Sequence, residues 1–299
     1  MRILRDKSEL ATILPRLESN FPRSLPVYHM VQHAFTETYA WPGMEIVVDQ
    51  YPDFAVCIVR PQKNDKNFVP MMNGYQVFLY SENDEILRRM LFHEDVIDWT
   101  QFNIMFADIT EPEHLQIFNE GRRIIGGTFE DYDDTEGYPT GERCYYFDLD
   151  KMHLDYAVPD GFREGILLPD HAEQMSIERN YGVRNNNEQF FNHMLSHNFP
   201  SFALFPHDSN LPAAYCLYKC EGTLGAAYVH HEYRGRGLYK VILRGILREL
   251  RDLGEKHVWA ETPTSNLVSQ KGLKGVGGNE FSENYIVHWI NVWPGGKPT

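Results

Sequence analysis

The residue types that bind phosphate are concentrated in YVHHEYRGRGLYKVILRGIL, residues 228–247. The pattern predicts the end of a strand, a short loop with Gly235 and Gly237, and a helix from Leu238 onward. The first turn of a helix leaves backbone N–H groups without intrahelical partners and carries partial positive charge, which favours a diphosphate. Glycines let the backbone approach phosphates closely, and Arg234 and Arg236 add positive charge at the same point. The segment therefore predicts a diphosphate-binding loop.

Two better-known phosphate loops do not fit this segment. A dinucleotide-binding loop needs GxGxxG, but the position that follows Gly235 and Gly237 at the third glycine's spacing is Lys240. The P-loop pattern GxxxxGK[ST] is absent from the sequence. What remains is R-x-x-G from Arg234 to Gly237. On spacing alone, an ordinary left-handed turn before a helix remains the alternative.

The other metal-ligating and nucleophilic residue types give weaker signals. His193 and His197 are one helical turn apart, but no HExxH pattern or third ligand accompanies them. The cysteines form no CxxC pair and lack a second pair at zinc-site spacing. They are Cys57, Cys144, Cys216 and Cys220. We therefore expect reduced, buried thiols and no metal site.

Charge and hydropathy narrow the range of partners. The 299 residues carry a formal net charge of −14, and an acidic chain is a poor non-specific binder of nucleic acid or anionic membrane. No run approaches 18 apolar residues. The first ten residues, MRILRDKSEL, lack the apolar segment of a signal peptide and contain acids that are uncommon in mitochondrial presequences. We expect a cytoplasmic protein that binds a small molecule, with no nucleic-acid or membrane partner.

The second half of the chain, residues 143–299, shows a regular alternation of element types that positions the loop. After a strand at Arg143–Asp148, the expected order is β-α-α-β-β-β-α-β-α-β. The elements are Phe162–Leu168, Pro169–Asn180 with Asp170 as N-cap, Asn187–Asn198, Ser201–Phe205, Ala213–Cys220, Thr223–Val229, Leu238–Leu253, Lys256–Glu261, Asn266–Lys274 and Tyr285–Val292. A right-handed crossover through the long helix predicts that Lys256–Glu261 runs parallel to Thr223–Val229.

The first half, residues 1–142, mixes helices and strands but has no Arg/Gly phosphate loop. The expected elements are helices at 8–19 (interrupted at Pro15) and 24–35, strands Glu45–Asp49, Ala55–Arg60 and Gly74–Tyr80, a helix with Ser81 as N-cap, strand Phe102–Asp108 and a helix near Glu111–Ile124. The acidic, glycine-rich composition of the run near 126–142 predicts a linker between the two halves. We expect two domains, 1–142 and 143–299.

Two groups of segments carry a resemblance to a known family. They are PVYHMVQHAF and EIVVDQYPDFAVCIVRPQ in the first half, and HEYRGRGLYKVI, LRDLG and TSNLVSQKGL in the second. With the β-β-β-loop-α-β-α-β order, they resemble the Gcn5-related N-acetyltransferase (GNAT) superfamily and, within it, the glycine N-acyltransferase-like family. The resemblance implies an α/β (α+β) fold with a mixed, mostly antiparallel sheet flanked by helices. The first half is then expected to be a degenerate copy of the same fold.

The resemblance implies acyl-CoA or acetyl-CoA as co-substrate and no metal. The acyl-CoA is expected between strands Thr223–Val229 and Lys256–Glu261, with its pantetheine arm pairing to one strand like an added strand. A backbone N–H of that strand would polarise the thioester carbonyl. The implied acyl-CoA-binding residues are Tyr228, Val229, Arg234, Gly235, Arg236, Gly237, Leu238, Tyr239, Asn266 and Ser269.

The catalytic base is where the sequence departs from the family. Glycine acyltransferases carry a glutamate just after a turn glycine, but here Gly222 is followed by Thr223. Glu221 is one residue out of register, which changes the sheet face. The other candidates are His230, His231 and Glu232, and a water-mediated proton path is a further alternative. The family's tyrosine acid corresponds to Leu273 here, so no acid is assigned.

The implied activity is N-acyl transfer from acyl-CoA to an amine, with a small amine or an amino acid such as glycine as acceptor. A catalytically weak acyl-CoA-binding module is the first alternative, because Thr223 replaces the glutamate. Protein-lysine acetylation is the second alternative. We expect a monomer, and the family resemblance adds mitochondria as a possible location.

Overall fold

The structure is a computed structural model, and it describes residues 1–63, 65, 68–71, 74–101, 104–110, 117, 128–131, 142–178, 187–281 and 286–293. The chain forms two compact units. The first unit consists of the described parts of Met1–Arg143, Pro263–Ser265 and Ser282–Thr299, and the second unit of those of Cys144–Thr262 and Asn266–Phe281. Among the described residues, none of the helices combines the length and apolarity that crossing a bilayer requires.

The elements follow one another along the chain as short strands and helices. In the first half they are β1 (Arg2–Leu4), α1 (Lys7–Glu18), α2 (Leu25–Thr36), β2 (Met44–Val48), β3 (Val56–Pro61), β4 (Tyr75–Ser81), α3 (Asp84–Leu91), β5 (Ile104–Thr110) and β6 (Thr128–Asp131). In the second half they are β7 (Glu142–Asp148), β8 (Phe162–Gly165), α4 (Ala172–Glu178), α5 (Asn187–Ser196), β9 (Ser201–Pro206), β10 (Ala214–Tyr218), β11 (Thr223–Val229), α6 (Leu238–Asp252), β12 (His257–Pro263), α7 (Leu267–Gly275), β13 (Asn279–Glu280) and β14 (Ile286–Trp293).

The first unit is built on strands in the order β1-β2-β3-β4-β5-β14, with β6 paired to β14. Strands β4 and β5 are parallel, and the other pairs are antiparallel. Helix α3 buries Leu87, Met90 and Leu91 in the core that these strands share. The i, i+3, i+4 spacing of those residues places them on one side of the helix.

Three expectations for the first half need correction. Pro15 lies inside α1 without ending it. Helix α3 begins after Asn83, whose Oδ1 accepts a hydrogen bond from Ile86 N at 3.0 Å, so Asn83 rather than Ser81 is the N-cap. The presumed linker contains strand β6, which pairs with Ile290–Trp293 of β14; its backbone hydrogen bonds do not require the apolar alternation that this acidic segment lacks. The helix expected near Glu111–Ile124 lies outside the described residues apart from Ile117.

The second unit carries the strand order β7-β12-β11-β10-β9-β8, with β13 paired to β7. Strands β8 to β11 form antiparallel neighbours, whereas β11 and β12 are parallel, as the crossover through α6 predicts. This mixed, mostly antiparallel sheet with helices is the expected fold class. The helix and strand bounds differ from the expected ones mainly at element ends.

Helix α6 covers one face of the second unit's sheet. Its buried residues recur at helical spacing and are Leu238, Ile242, Leu243, Gly245, Ile246, Leu247 and Leu250. Gly245 lies directly against Phe202 of β9, since a Cβ there would sit 2.6 Å from the Phe202 ring. Phe202 therefore points to the α6 face, and its neighbours Ser201 and Ala203 point to the opposite face.

The opposite face meets the segment that leads into α4. The Ser201 hydroxyl accepts a hydrogen bond from Leu167 N at 3.0 Å. A 3-10 turn, Pro169–His171, precedes α4, and its N-cap position is Leu168. The expectation that Asp170 is the N-cap is wrong, because the His171 ring accepts a hydrogen bond from Leu168 N at 2.9 Å and Asp170 falls inside the turn.

Candidate active site

The central feature of the second unit is an opening between its two parallel strands. In the register of strands β11 and β12, Thr223 pairs with Trp259 and Leu224 pairs with Ala260. In the described chain no register pair follows, although β11 continues to Val229 and β12 continues past Glu261. We call the gap that begins after Leu224–Ala260 the strand opening. The β11 residues that border it, 225–229, are half-buried, whereas every residue of the neighbouring strands β9 and β10 is buried.

A bulge in β11 coincides with the strand opening. Leu217 of β10 pairs with Gly225, but Tyr215 pairs with Tyr228, so β11 contains one extra residue at this point. Ala226 takes up the irregularity with a φ of 53°, a left-handed conformation that is unfavourable for a residue with a Cβ. Bulges bend a strand and re-aim its backbone groups. The bulge therefore accounts for the divergence of β11 from β12.

The loop after β11 presents unpaired amides to solvent. Gly235 and Gly237 both have φ of 78°, and a Cβ built at either glycine meets nothing within 4 Å. Gly237 is the N-cap of α6 and provides no side chain to cap the helix. Within the described chain, none of the backbone N–H groups of 235–238 donates a hydrogen bond. These unpaired amides, of which those of residues 235–237 belong to exposed residues, fit a diphosphate, which accepts hydrogen bonds from such groups.

The two loop arginines add positive charge beside these amides. Arg234 Nε donates to Val229 O at 3.1 Å, which fixes the side chain to the end of β11. Its guanidinium carbon lies 5.9 Å from the Tyr228 ring centroid. The guanidinium carbon of Arg236 lies 5.5 Å from the Tyr233 ring centroid. Both arginines are exposed, so their remaining N–H groups can reach an anion at the start of α6.

Asn266 and Ser269, which the family resemblance associates with acyl-CoA, also stabilise the start of α7. Asn266 Oδ1 accepts a hydrogen bond from Ser269 N at 3.1 Å, which makes Asn266 the N-cap of α7. The Ser269 hydroxyl lies 2.9 Å from the Tyr239 hydroxyl of α6. The Tyr239 ring packs on Gly272, where a Cβ would approach it to 2.3 Å. These contacts join the first turns of α6 and α7 beside the loop.

Comparisons with known proteins agree with this geometry in both halves of the chain. Residues 1–111 match the family model described as aralkyl acyl-CoA:amino acid N-acyltransferase, and residues 171–277 match the acetyltransferase (GNAT) family. The chain is 24% identical over 282 residues to the glycine N-phenylacetyltransferase of Bos taurus, covering 85% of this chain and 87% of that protein. It is 25% identical over 276 residues to the glycine N-acyltransferase of Mus musculus, with the same two coverages.

The chain thus carries the amino-terminal domain of the aralkyl acyl-CoA:amino acid N-acyltransferases at residues 1–111 and a GNAT domain at residues 171–277. It is an acyl-CoA-dependent N-acyltransferase, and acyl-CoA is the co-substrate of this superfamily.

Solved structures agree on the fold. A Drosophila protein from a structural genomics programme superposes with a TM-score of 0.74, at 16% identity, over 98% of both chains. A tandem GNAT protein from the clavulanic acid biosynthesis pathway superposes with a TM-score of 0.51, at 13% identity, over 97% of this chain and 96% of its own. The fold of this chain therefore consists of two GNAT-like halves.

The position of the family's glutamate is closed to a substrate. Thr223 is fully buried, and its hydroxyl donates to Leu224 O at 3.4 Å. His230 follows the end of β11; its amide donates to Ala213 O at 2.8 Å, and its Nδ1 lies 3.7 Å from the Glu232 carboxylate. Leu273 is buried in α7, so the part of α7 that the structure describes offers no phenol at that position.

Glu221 lies in a buried cluster of charges at the base of the strand opening. Lys219 Nζ is 2.7 Å from Glu221 Oε1 and 3.7 Å from Glu261 Oε1. The second Glu221 oxygen accepts a hydrogen bond from the Cys220 thiol at 3.3 Å. Burial, and then the Glu221 charge, raise the pKa of this thiol well above its ordinary value, so it remains a donor. We call Lys219, Glu221 and Glu261 the charge cluster.

Sequence reasoning did not find Lys219 or Glu261. Lys219 approaches Glu261 only because β11 and β12 are neighbours, although the two residues are 42 positions apart in the sequence. The one local signal is Gly225, because Lys219 lies across it: a Cβ at Gly225 would be 2.6 Å from Lys219 Cε. A glycine inside a strand indicates close approach of another group.

Proposed function

We propose that the protein transfers the acyl group of an acyl-CoA to the amino group of a free amino acid, with glycine as the first acceptor to test. One observation carries the proposal: the strand opening extends along β11 to Val229, and the loop that follows leads to a helix start where the amides of 235–238 donate no hydrogen bond within the described chain and residues 235–237 are exposed. A linear ligand with a diphosphate at one end and a thioester at the other fits that arrangement. The relatives named as glycine acyltransferases support the choice of acceptor.

The ligand-binding residues are assigned to distinct parts of the ligand. The amides of 235–238, with Arg234 and Arg236, would hold the diphosphate. The backbone of Tyr228 and Val229, which does not pair with β12 in the described chain, would bind the pantetheine amides as a neighbouring strand does. A β11 amide beside the bulge would donate to the thioester carbonyl oxygen, where negative charge develops during attack.

The reaction needs a neutral amine, because an ammonium has no lone pair to attack with. The amine nitrogen forms a bond to the thioester carbon while one N–H proton leaves for a base. The C–S bond then breaks, and the CoA thiolate departs and takes up a proton. The net products are an N-acylated amino acid and free CoA.

A second candidate is a catalytically weak acyl-CoA-binding module. The observation that favours it is the buried threonine at the family's glutamate position, since Thr223 cannot accept a proton from an amine at neutral pH. This candidate predicts that the loop and the strand opening bind acyl-CoA without turnover.

The two candidates separate in a thiol-release assay. Acetyl-, benzoyl- and phenylacetyl-CoA are each incubated with the protein and a panel of amino acids, and the free CoA thiol is measured together with product mass. We expect thiol release that depends on the amino acid and an N-acyl product. Saturable binding of CoA with no thiol release above the protein-free rate across the panel would reject amine acylation in favour of the binding module.

A further inference from the structure

We propose that Glu261 of β12 is the proton acceptor for the attacking amine, held in place by Lys219. The inference rests on the proposed function and names the base that this chain uses instead of the family's glutamate. It places the catalytic carboxylate on the strand across the opening from its position in the relatives. The evidence is the position of Glu261 on β12 and the exposure of its side chain.

The register of the strands puts Glu261 at the start of the strand opening. The last paired positions are Leu224 and Ala260, so Glu261 is the first β12 residue beyond them and stands opposite Gly225. Side chains at i and i+2 of a strand share a face. Glu261 therefore lies on the same face as Trp259 and its partner Thr223, the position that the family's glutamate occupies.

The same face is the one turned away from α6. Phe202 packs on α6 and pairs with Cys216, whereas Ser201 pairs with Leu217, so Leu217 is on the opposite face. Leu217 in turn pairs with Gly225, which places the charge cluster on that opposite face. The start of α6 and the charge cluster thus approach the strand opening from different sides. A diphosphate on one side leaves the other side free for an amine.

A carboxylate beside the strand opening suits an amine that arrives as an ammonium. The negative charge of Glu261 attracts the ammonium. Glu261 takes one proton from the ammonium and passes it to solvent, which leaves the neutral amine that attack requires and returns Glu261 to its carboxylate form.

Of the two carboxylates, Glu261 is the one that faces the opening. Its side chain is 13% exposed, against 3% for Glu221. Glu221 already uses one oxygen for Lys219 at 2.7 Å and the other for the Cys220 thiol. The Lys219–Glu261 distance of 3.7 Å is longer than a hydrogen bond. Glu261 is therefore oriented by Lys219 without a direct hydrogen bond between the two charged atoms.

Lys219 is a positioning residue in this scheme, and Gly225 makes its position possible. The lysine side chain crosses β11 at Gly225, where its Cε, Cδ and Cγ would lie 2.6 to 3.1 Å from an added Cβ. The hairpin turn is fixed by Lys219 N donating to Thr223 O and Gly222 N donating to Lys219 O, both at 2.9 Å. The ammonium is thus fixed between the two carboxylates by backbone geometry.

Atoms and protons balance in the proposed acyl transfer. The amine nitrogen attacks the thioester carbon, and the proton it loses moves to a Glu261 carboxylate oxygen, directly or through one water molecule. Collapse of the tetrahedral intermediate breaks the C–S bond, and the proton returns from Glu261 to the thiolate by way of solvent. Glu261 ends the cycle as a carboxylate, so no other reactant is required.

The test compares Glu261→Gln with Glu280→Gln in the full-length protein. Glu280 is a matched control because it too pairs with a lysine, Lys274, in the second unit and away from the strand opening. We expect Glu261→Gln to lower kcat/KM for the amino acid by about 100-fold or more, with an unchanged Kd for CoA by calorimetry. Its fold should be retained, because glutamine has nearly the same size and shape as glutamate and Lys219 keeps its contact with Glu221 at 2.7 Å. Glu280→Gln should match wild type.

A further measurement separates a base from a merely structural residue. Hydroxylamine is neutral at the assay pH and needs no deprotonation before attack, so Glu261→Gln should retain most of its protein-dependent rate with this acceptor.

The results that overturn the proposal are distinct from those that overturn the proposed function. If wild type releases no thiol with any amine, hydroxylamine included, acyl transfer itself is refuted. If wild type is active and Glu261→Gln retains more than a third of its kcat/KM for the amino acid, Glu261 is not the base. An equal loss with the amino acid and with hydroxylamine would also reject proton transfer and make Glu261 structural.

Discussion

Replacement of Gly237 by aspartate tests the assigned diphosphate site. Gly237 is the N-cap of α6 with φ of 78°, and a side chain there would enter open space. Asparagine and aspartate are the residues with a Cβ that best tolerate this left-handed conformation. Gly237→Asn is therefore the matched control, since it has the same shape and the same backbone cost without the charge.

The expected magnitude follows from Coulomb's law. A carboxylate at about 4 Å from one phosphate charge costs about 1 kcal/mol at the dielectric constant of water and about 4 kcal/mol at the value that suits a protein surface. For the roughly two charges of a diphosphate, the penalty is about 2 to 8 kcal/mol. Because 1.4 kcal/mol is tenfold in affinity, CoA binding should weaken by at least about 30-fold relative to Gly237→Asn.

The assay is titration calorimetry of both variants with CoA at low and high salt. We expect Gly237→Asn to bind CoA detectably and Gly237→Asp to bind at least about 30-fold more weakly, with the difference shrinking at high salt because ions screen the repulsion. Equal Kd values for the two variants, within about threefold, would show that the diphosphate does not lie at the start of α6. Thermal unfolding of both variants checks that the carboxylate has not unfolded the loop's surroundings.

Three further predictions concern the same unit. Tyr239→Phe removes the hydroxyl that lies 2.9 Å from the Ser269 hydroxyl, and we expect urea denaturation to show a loss of about 1 kcal/mol in the free energy of unfolding. Gly272→Ala puts a Cβ 2.3 Å from the Tyr239 ring and should cost about 1–3 kcal/mol; Gly275→Ala in the same helix meets only the flexible end of a lysine and should change stability by less than about 1 kcal/mol. Burial, and then a neighbouring histidine, lower the pKa of His193. The unfolded state therefore binds more protons than the folded state as pH falls through about 6.5, and stability should decrease there in wild type more than in His193→Gln.

The loop and its flanking elements were predictable because their signals are local. The strand Thr223–Val229 and the helix start at Leu238 were both placed at the observed residues. Turn glycines, a hairpin and a long amphipathic helix each leave a pattern within a few residues. Parallel pairing of β11 with β12 followed from chain connectivity alone, and the structure confirms it.

The bulge and the charge cluster were not predictable in this way. The sequence around Ala226 has no residue that specifies a left-handed conformation, and the register shift arises from how β11 pairs with β10. Lys219 and Glu261 meet through strand order, which no local pattern encodes. The two N-cap predictions were wrong for a similar reason, because several polar side chains lie near each helix start. Asn83 rather than Ser81 accepts the hydrogen bond from Ile86 N, and the His171 ring accepts one from Leu168 N, so a 3-10 turn that contains Asp170 precedes α4.

The most direct test of the assigned acyl-CoA site is a crystal structure with acetyl-CoA bound. We expect diphosphate oxygens within hydrogen-bond distance of the amides of 235–238 and a pantetheine arm along Tyr228 and Val229 in the strand opening. We also expect the thioester carbon on the side of Gly225 and Glu261. An acetyl-CoA bound elsewhere, or β11 and β12 paired along their full length in the complex, would contradict it.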